Sequence, residues 1–144
     1  MRTLRVEKLI YAALEATVTS FRTGRALAEI PVLRMLSMSR DEVSARSSAF
    51  VEKFRQRLPG SSLLGLSDGM SVVGGGSCPE SRLPTRLITV QSDRHSANEV
   101  ESSLRLQDPP IILRIEENRV LIDLRTVFPD QEEPLLAGLC RALQ

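Results

Sequence analysis

The apolar residues of this chain switch from a helical spacing to a period of two and back again, and that switch limits the fold more than any single motif. Val6, Leu9, Ile10, Ala13, Leu14, Thr17, Val18 and Phe21 follow i, i+3, i+4, i+7 spacing, which predicts an amphipathic helix ending at Thr23-Gly24. A short helical turn over residues 25–29 comes next, because Ile30 precedes Pro31 and is pushed out of the α region. Val32, Leu33, Met35 and Leu36 then read as an apolar patch in a connecting segment. Ser39-Arg40-Asp41-Glu42 and Ser96-Ala97-Asn98-Glu99 are capping boxes, in which the serine hydroxyl accepts from the glutamate amide and the glutamate reaches back. The first opens a helix with Val43, Phe50, Val51, Phe54 and Leu58 on one face, stopped by Pro59-Gly60. The second opens a shorter helix with Val100 and Leu104 inward, stopped by Asp108-Pro109-Pro110. A last helix begins at Pro129-Asp130-Gln131-Glu132-Glu133, whose acids suit the positive helix end, and buries Leu135, Leu136, Leu139 and Leu143.

Between these helices residues 111–115 and 120–124 flank Glu116-Glu117-Asn118-Arg119, where Asn118 tolerates positive φ, so a β-hairpin is expected. Residues 70–73 and 87–90 are shorter apolar runs that read as two further strands. The stretches 59–69 and 74–85, rich in Gly, Ser and Pro, read as loops. The predicted class is α/β in the sense of an α+β layer: a small, mostly antiparallel four-stranded sheet with helices over one face.

Composition narrows the chemistry. Of 144 residues 42% are apolar and 26% charged, ordinary globular usage, and 19 basic against 18 acidic groups leave no strong global field for nucleic acid or anionic lipid. Aromatics make up 3%, too few for a base-stacking platform. Charges within residues 1–20 argue against a signal peptide or a membrane span there. Two distant cysteines, Cys78 and Cys140, make neither a disulfide framework nor a metal knuckle, and the single histidine, His95, has no Ser or Cys partner at recognisable spacing. The expected setting is a reduced cytoplasm. His95 reads as a surface residue and Cys140 as a core thiol.

Three features remain as candidate sites. Gly74-Gly75-Gly76-Ser77 could cradle an anion, but it lacks the lysine and following helix of a P-loop, which favours a packing or interface turn. Arg114, Asp123 and Arg125 are charges in apolar strands, serving either an ion pair across the hairpin or an arginine presented to a carboxylate or phosphate. Arg2 and Arg5, three residues apart, share one side of a helix; spacing alone favours a solvated helix start over an anion clamp. Only Lys8 and Lys53 are lysines, the other basic residues being arginine.

Several strings taken together carry a resemblance. Leu4-Arg5-Val6-Glu7-Lys8-Leu9 running into Ala12-Ala13-Leu14-Glu15-Ala16-Thr17, then Ile30-Pro31-Val32-Leu33-Arg34-Met35-Leu36 and Val73-Gly74-Gly75-Gly76-Ser77, resemble the carboxy-terminal part of bacterial selenocysteine synthases, the L-seryl-tRNA(Sec) selenium transferases. Asp108-Pro109-Pro110-Ile111-Ile112-Leu113-Arg114-Ile115-Glu116 and Leu121-Ile122-Asp123-Leu124-Arg125-Thr126-Val127 continue the likeness in the same order, so that it covers essentially the whole chain.

The resemblance implies the small carboxy-terminal domain of a fold type I pyridoxal-phosphate enzyme. Residues 1–38 would be a linker helix and connecting segment leading out of a large domain, and residues 39–144 the small domain. The Schiff-base lysine would then lie before Met1, inside a longer reading frame, since neither Lys8 nor Lys53 has the glycine-flanked setting of that lysine. Pyridoxal phosphate is implied in the full-length enzyme, with none expected on this fragment, which would be inactive alone. The implied reaction replaces the hydroxyl of a seryl group on tRNA(Sec) with selenium from selenophosphate. Implied partners are the large domain of the same chain, seryl-tRNA(Sec), selenophosphate and further copies in a ring of dimers, with no membrane. The likeness turns Arg2 and Arg5 into candidates for holding the phosphate-like donor. It places Arg125 where many fold type I enzymes hold a substrate carboxylate; the seryl carboxyl is esterified here, so Arg125 would meet the ester or a phosphate and ranks below the pair. The competing readings are a stand-alone tRNA- or protein-binding domain and the small domain of a related fold type I lyase, which coding sequence upstream of Met1 separates.

Overall fold

The structure, a computed structural model, describes residues 6–58, 62–74 and 81–144. Cα packing divides the chain into two compact units, Met1–Met38 and Ser39–Gln144.

The first unit holds α1 (Lys8–Arg22), α2 (Ala26–Glu29) and α3 (Pro31–Ser37). Gly24, at φ 70°, makes the left-handed turn after α1 that other residues adopt with difficulty. The Ser20 hydroxyl donates to Glu29 (2.6 Å) and so ties α1 to α2. The expected connecting segment after Ile30 is instead the helix α3. Pro31 occupies its first turn, where the missing N–H costs nothing. None of its seven residues is buried, so no burial stripe marks the helix in the sequence. On α1 only Ser20 is buried, while Leu9, Ile10, Tyr11, Leu14, Val18 and Phe21 are exposed.

The second unit is a layer of helices on an antiparallel sheet. It contains α4 (Arg40–Arg57), β1 (Ser62–Val72), β2 (Arg82–Ser92), α5 (Ala97–Arg105), β3 (Arg114–Glu116), β4 (Arg119–Asp123) and α6 (Glu132–Leu143), with 3-10 turns at Leu124–Thr126 and Pro129–Gln131. The described residues thus form six α-helices and a four-stranded sheet of order β1-β2-β4-β3, every pairing antiparallel. Both capping boxes are present: the Ser39 and Ser96 amides each donate to the glutamate three residues on at 2.7 Å.

The β1–β2 ribbon is far longer than the two short runs expected, and much of the supposed loop lies in it. Residues 62–69 belong to β1 and 82–85 to β2. Gly and Ser fill alternate positions of β1 and hide its strand character. Two of its glycines are sockets: a Cβ on Gly65 would lie 2.7 Å from Thr89 Oγ1, and one on Gly69 2.5 Å from a Leu87 methyl. The predicted hairpin is present but shorter, with residues 111–113 outside β3 and a two-residue turn at Glu117-Asn118. Both turn residues have positive φ, 50° and 58°, as the favoured hairpin turn requires. Arg125 belongs to the 3-10 turn after β4 and not to a strand, because Asp123 accepts from the Arg125 amide and bends the chain there.

Cross-strand partners share a face, so Leu64, Leu66, Ile88, Val90, Ile115, Val120 and Ile122 lie on one side. They pack against Phe50, Phe54, Val100, Leu104, Leu136, Leu139 and Leu143 from α4, α5 and α6. Phe50 meets Phe54 edge-on with centroids 6.3 Å apart. Two polar ties hold the layers: Ser47 Oγ donates to the Arg86 carbonyl (3.1 Å), and Arg46 donates to Glu132 (2.7 Å) and to the Val127 carbonyl (2.7 Å).

Candidate functional site

The helices of this unit leave the other sheet face to Leu87, Leu121, Thr85, Thr89, Ser71 and Asp123. A cleft of about 550 Å³ opens at the edge of this face, lined by Leu87 and Leu121, by the end of β1 at Met70 and Val72, by Ile112, and by Pro134 and Leu135 at the start of α6. Its volume suits a small ligand or a few side chains. A second groove of about 470 Å³ runs along the same face past Gly69, Thr89 and Arg119. Arg82, Arg114 and Arg119 border it together with Asp68, Glu116 and Glu117, so its charges nearly balance. Arg119 pairs with Glu117, and Arg114 lies 3.9 Å from Glu116.

At the end of the cleft Asp123 and Arg125 gather a buried polar network. Asp123 accepts hydrogen bonds from the Ser71 hydroxyl, from the Thr85 hydroxyl (2.9 Å) and from the Arg125 amide (3.0 Å). Arg125 donates from Nε to Ser71 Oγ (3.2 Å) and from Nη2 to the Pro84 carbonyl (2.8 Å). Thr85 is fully buried and Arg125 is 4% exposed, so this guanidinium exchanges water for protein acceptors. Such a set holds geometry. Among the described residues no three His, Cys, Asp or Glu side chains gather as a metal ion would need.

Comparison with known proteins decides the family. Residues 1–128 match the family described as L-seryl-tRNA selenium transferase. The chain belongs to this family. It is similar to the L-seryl-tRNA(Sec) selenium transferase of Geobacter sulfurreducens, with 41% identity over 140 residues, 96% of this chain and 30% of that protein. The protein of the same name from Aquifex aeolicus is 41% identical over 128 residues, covering 88% and 27%. That from Moorella thermoacetica is 34% identical over 144 residues, covering 99% and 31%. The chain thus spans about three-tenths of the length of the curated relatives it matches.

In this selenium transferase family member the residues singled out from the sequence scatter. Arg2 and Arg5 lie outside the described residues, as do Gly75, Gly76, Ser77 and Cys78. Gly74 follows β1, with open space where a Cβ would stand. Arg114 is an exposed residue at the groove, whereas Arg125 is interior. His95 is half-buried in the turn before α5, its amide donating to Ser92 Oγ (3.3 Å). Cys140 packs against the core, and burial raises its thiol pKa, which favours the protonated form.

Pyridoxal phosphate requires a lysine amine inside a closed pocket. Lys8 and Lys53 are exposed, on α1 and α4, and neither lines the cleft or the groove. The described residues therefore do not build a site for that cofactor. Sequence reading had singled out Asp123 and Arg125 but missed Ser71 and Thr85. Thr85 falls in a stretch read as a loop and Ser71 in a short apolar run read as a strand, and nothing local ties either to a turn near position 125. No described helix is long and apolar enough to cross a membrane.

Proposed function

We propose that this chain is the carboxy-terminal small domain, with its connecting helix, of a pyridoxal-phosphate-dependent L-seryl-tRNA(Sec) selenium transferase working in the cytoplasm. The observation that carries the reading is the family match over residues 1–128 by a chain spanning about three-tenths of its relatives' length. A larger domain of the same polypeptide then supplies the lysine and the cofactor, and dimers of the whole protein assemble into a ring. The apolar face of α1, which its own unit leaves exposed, supports this, since such a strip fits burial against more chain. When bound there, the cofactor supplies the electron sink for replacing the seryl hydroxyl.

The role of this chain is to position charge. Arg2 and Arg5 bind the selenophosphate donor, because a multiply charged oxyanion needs several donors to replace its water and the guanidinium fork matches phosphate. Arg125 is instead engaged within the chain, donating to Ser71 and to the Pro84 carbonyl. Each well-placed charged hydrogen bond contributes about 1.5–3 kcal/mol. In the longer protein Arg2→Ala or Arg5→Ala should therefore weaken donor use by roughly tenfold or more. Binding of seryl-tRNA(Sec) and assembly should stay near normal. The measurement is the selenophosphate dependence of turnover. Wild-type dependence in both variants would return these arginines to a solvated helix start.

A further inference from the structure

We infer that Asp123 and Arg125 form a polar clasp that fixes the register of the β1–β2 ribbon, with Arg125 acting as a positioning residue and not as an anion ligand. The clasp stands independently of the selenium-transfer reading.

The need for it lies in β1. On the cleft face this strand offers Gly65, Ser67, Gly69 and Ser71 in succession, so its register with β2 rests on the sockets that receive Thr89 and Leu87 and on polar contacts, with no large side chain of its own to select it. A one-residue slip is blocked, because it would turn Leu64 and Leu66 out of the core. A slip of two keeps every face, and Gly-rich strands resist it poorly. Asp68 opposes such a slip on the helix side by accepting from Arg86 (2.8 Å) and Arg40 (2.6 Å), but its carboxylate is exposed and such pairs contribute little.

The cleft side carries the discriminating contact. Ser71 donates to Asp123 and accepts from Arg125, so one hydroxyl joins both charged groups to β1. The Thr85 hydroxyl and the Pro84 carbonyl join the same two residues to β2. Ser71 is opposite Leu83, and Gly69 is opposite Thr85. A two-residue slip would bring Gly69 or Val73 to the position of Ser71, and neither has a hydroxyl. Asp123 and Arg125 would then lose their shared partner on β1, and the Arg125 guanidinium, 4% exposed, would lose an acceptor with little water to replace it. The Arg125 side chain thus bonds to each strand of this ribbon.

The test uses this 144-residue chain in its wild-type form and as Ser71→Ala and Arg125→Gln, observed by NMR. The wild type should give one set of amide resonances and cross-strand contacts joining Gly65 to Thr89 and Gly69 to Thr85. In both variants residues 63–72 and 82–92 should give a second set, with hydrogen exchange at 70–72 and 83–86 faster by roughly tenfold or more. Residues of α5 and α6 should keep one set and near wild-type exchange. Ser71→Ala is the smaller lesion and carries the test if Arg125→Gln does not fold. One resonance set with unchanged contacts in Ser71→Ala overturns the clasp, as does exchange that rises equally through α4, α5 and α6. Inorganic phosphate titrated into the wild type should leave the Arg125 Nε signal in place, and a saturable shift there would make this arginine a ligand instead.

Discussion

One methyl group should act oppositely at two glycines of this chain. At Gly69 a Cβ would stand 2.5 Å from one Leu87 atom and 2.9 Å from another, so the buried Leu87 side chain would have to shift to admit it. Gly69→Ala should therefore cost about 1–3 kcal/mol by overpacking. At Gly74 nothing lies within 4 Å, so Gly74→Ala should be neutral or stabilise by up to ~1 kcal/mol through the unfolded chain. Thermal unfolding of the two variants checks both signs. Carboxylates make a second residue-scale case. Hydrogen bonds from Ser39 and Ser96 hold Glu42 and Glu99 below the ordinary glutamate value of 4.5, and Arg40 and Arg86 hold Asp68 below 3.8. Lowered folded pKa values mean that the unfolded chain takes up these protons first as pH falls. Their contribution is complete above about pH 4.5 and drains away through the lower folded values. An acid titration of stability should be flatter in Glu42→Gln/Glu99→Gln than in wild type. The capping boxes behind this effect were legible because all their parts lie within four consecutive residues. The clasp at Arg125 was not, because Ser71 is 54 positions away in sequence and Thr85 lies in a stretch that reads as a loop.

At the scale of elements the helices were read well and the ribbon poorly. Helix stripes such as Leu135, Leu136, Leu139 and Leu143 repeat one large residue type and are buried as expected. The helix-side residues of β1, Leu64, Leu66, Met70 and Val72, do alternate with small ones, and that alternation was the available signal. Gly65 and Gly69 concealed it, since glycine in a strand reads as a turn until the Thr89 and Leu87 side chains it receives are known. The short helix α3 escaped for the opposite reason: its residues bury nothing that would show a period. The element with the most distinctive exposure is α1, whose Leu9 is 78% exposed alongside Ile10, Tyr11, Leu14, Val18 and Phe21. A strip of this kind drives association when nothing covers it. The isolated chain should self-associate with rising concentration, and Leu9→Glu/Leu14→Glu should reduce this while leaving the unfolding of residues 39–144 unchanged. Light scattering beside calorimetry reads both effects, and a wild-type chain that stays monomeric at high concentration would count against it.

For the whole molecule, the mixed class and the single helix-covered sheet face followed from the switch in period, since each amphipathic element needs a neighbour for its apolar side. What the chain does was legible only through the ordered strings it shares with a family. Among the described residues the charges beside the cleft and groove are held by one another or by nearby hydroxyls, and none of these sets announces a reaction. The strand order β1-β2-β4-β3 carries a further consequence, for the route by which this unit assembles. Its two outer pairings join strands that follow one another in the chain, so each can close early at small entropic cost. The central pairing, Leu87 to Val90 against Val120 to Asp123, must wait until the chain has looped through α5 and β3. Folding should thereby be a meeting of two early hairpins, so that Ile88→Val or Ile122→Val should slow folding more than it hastens unfolding, as the two arms of a denaturant chevron would read.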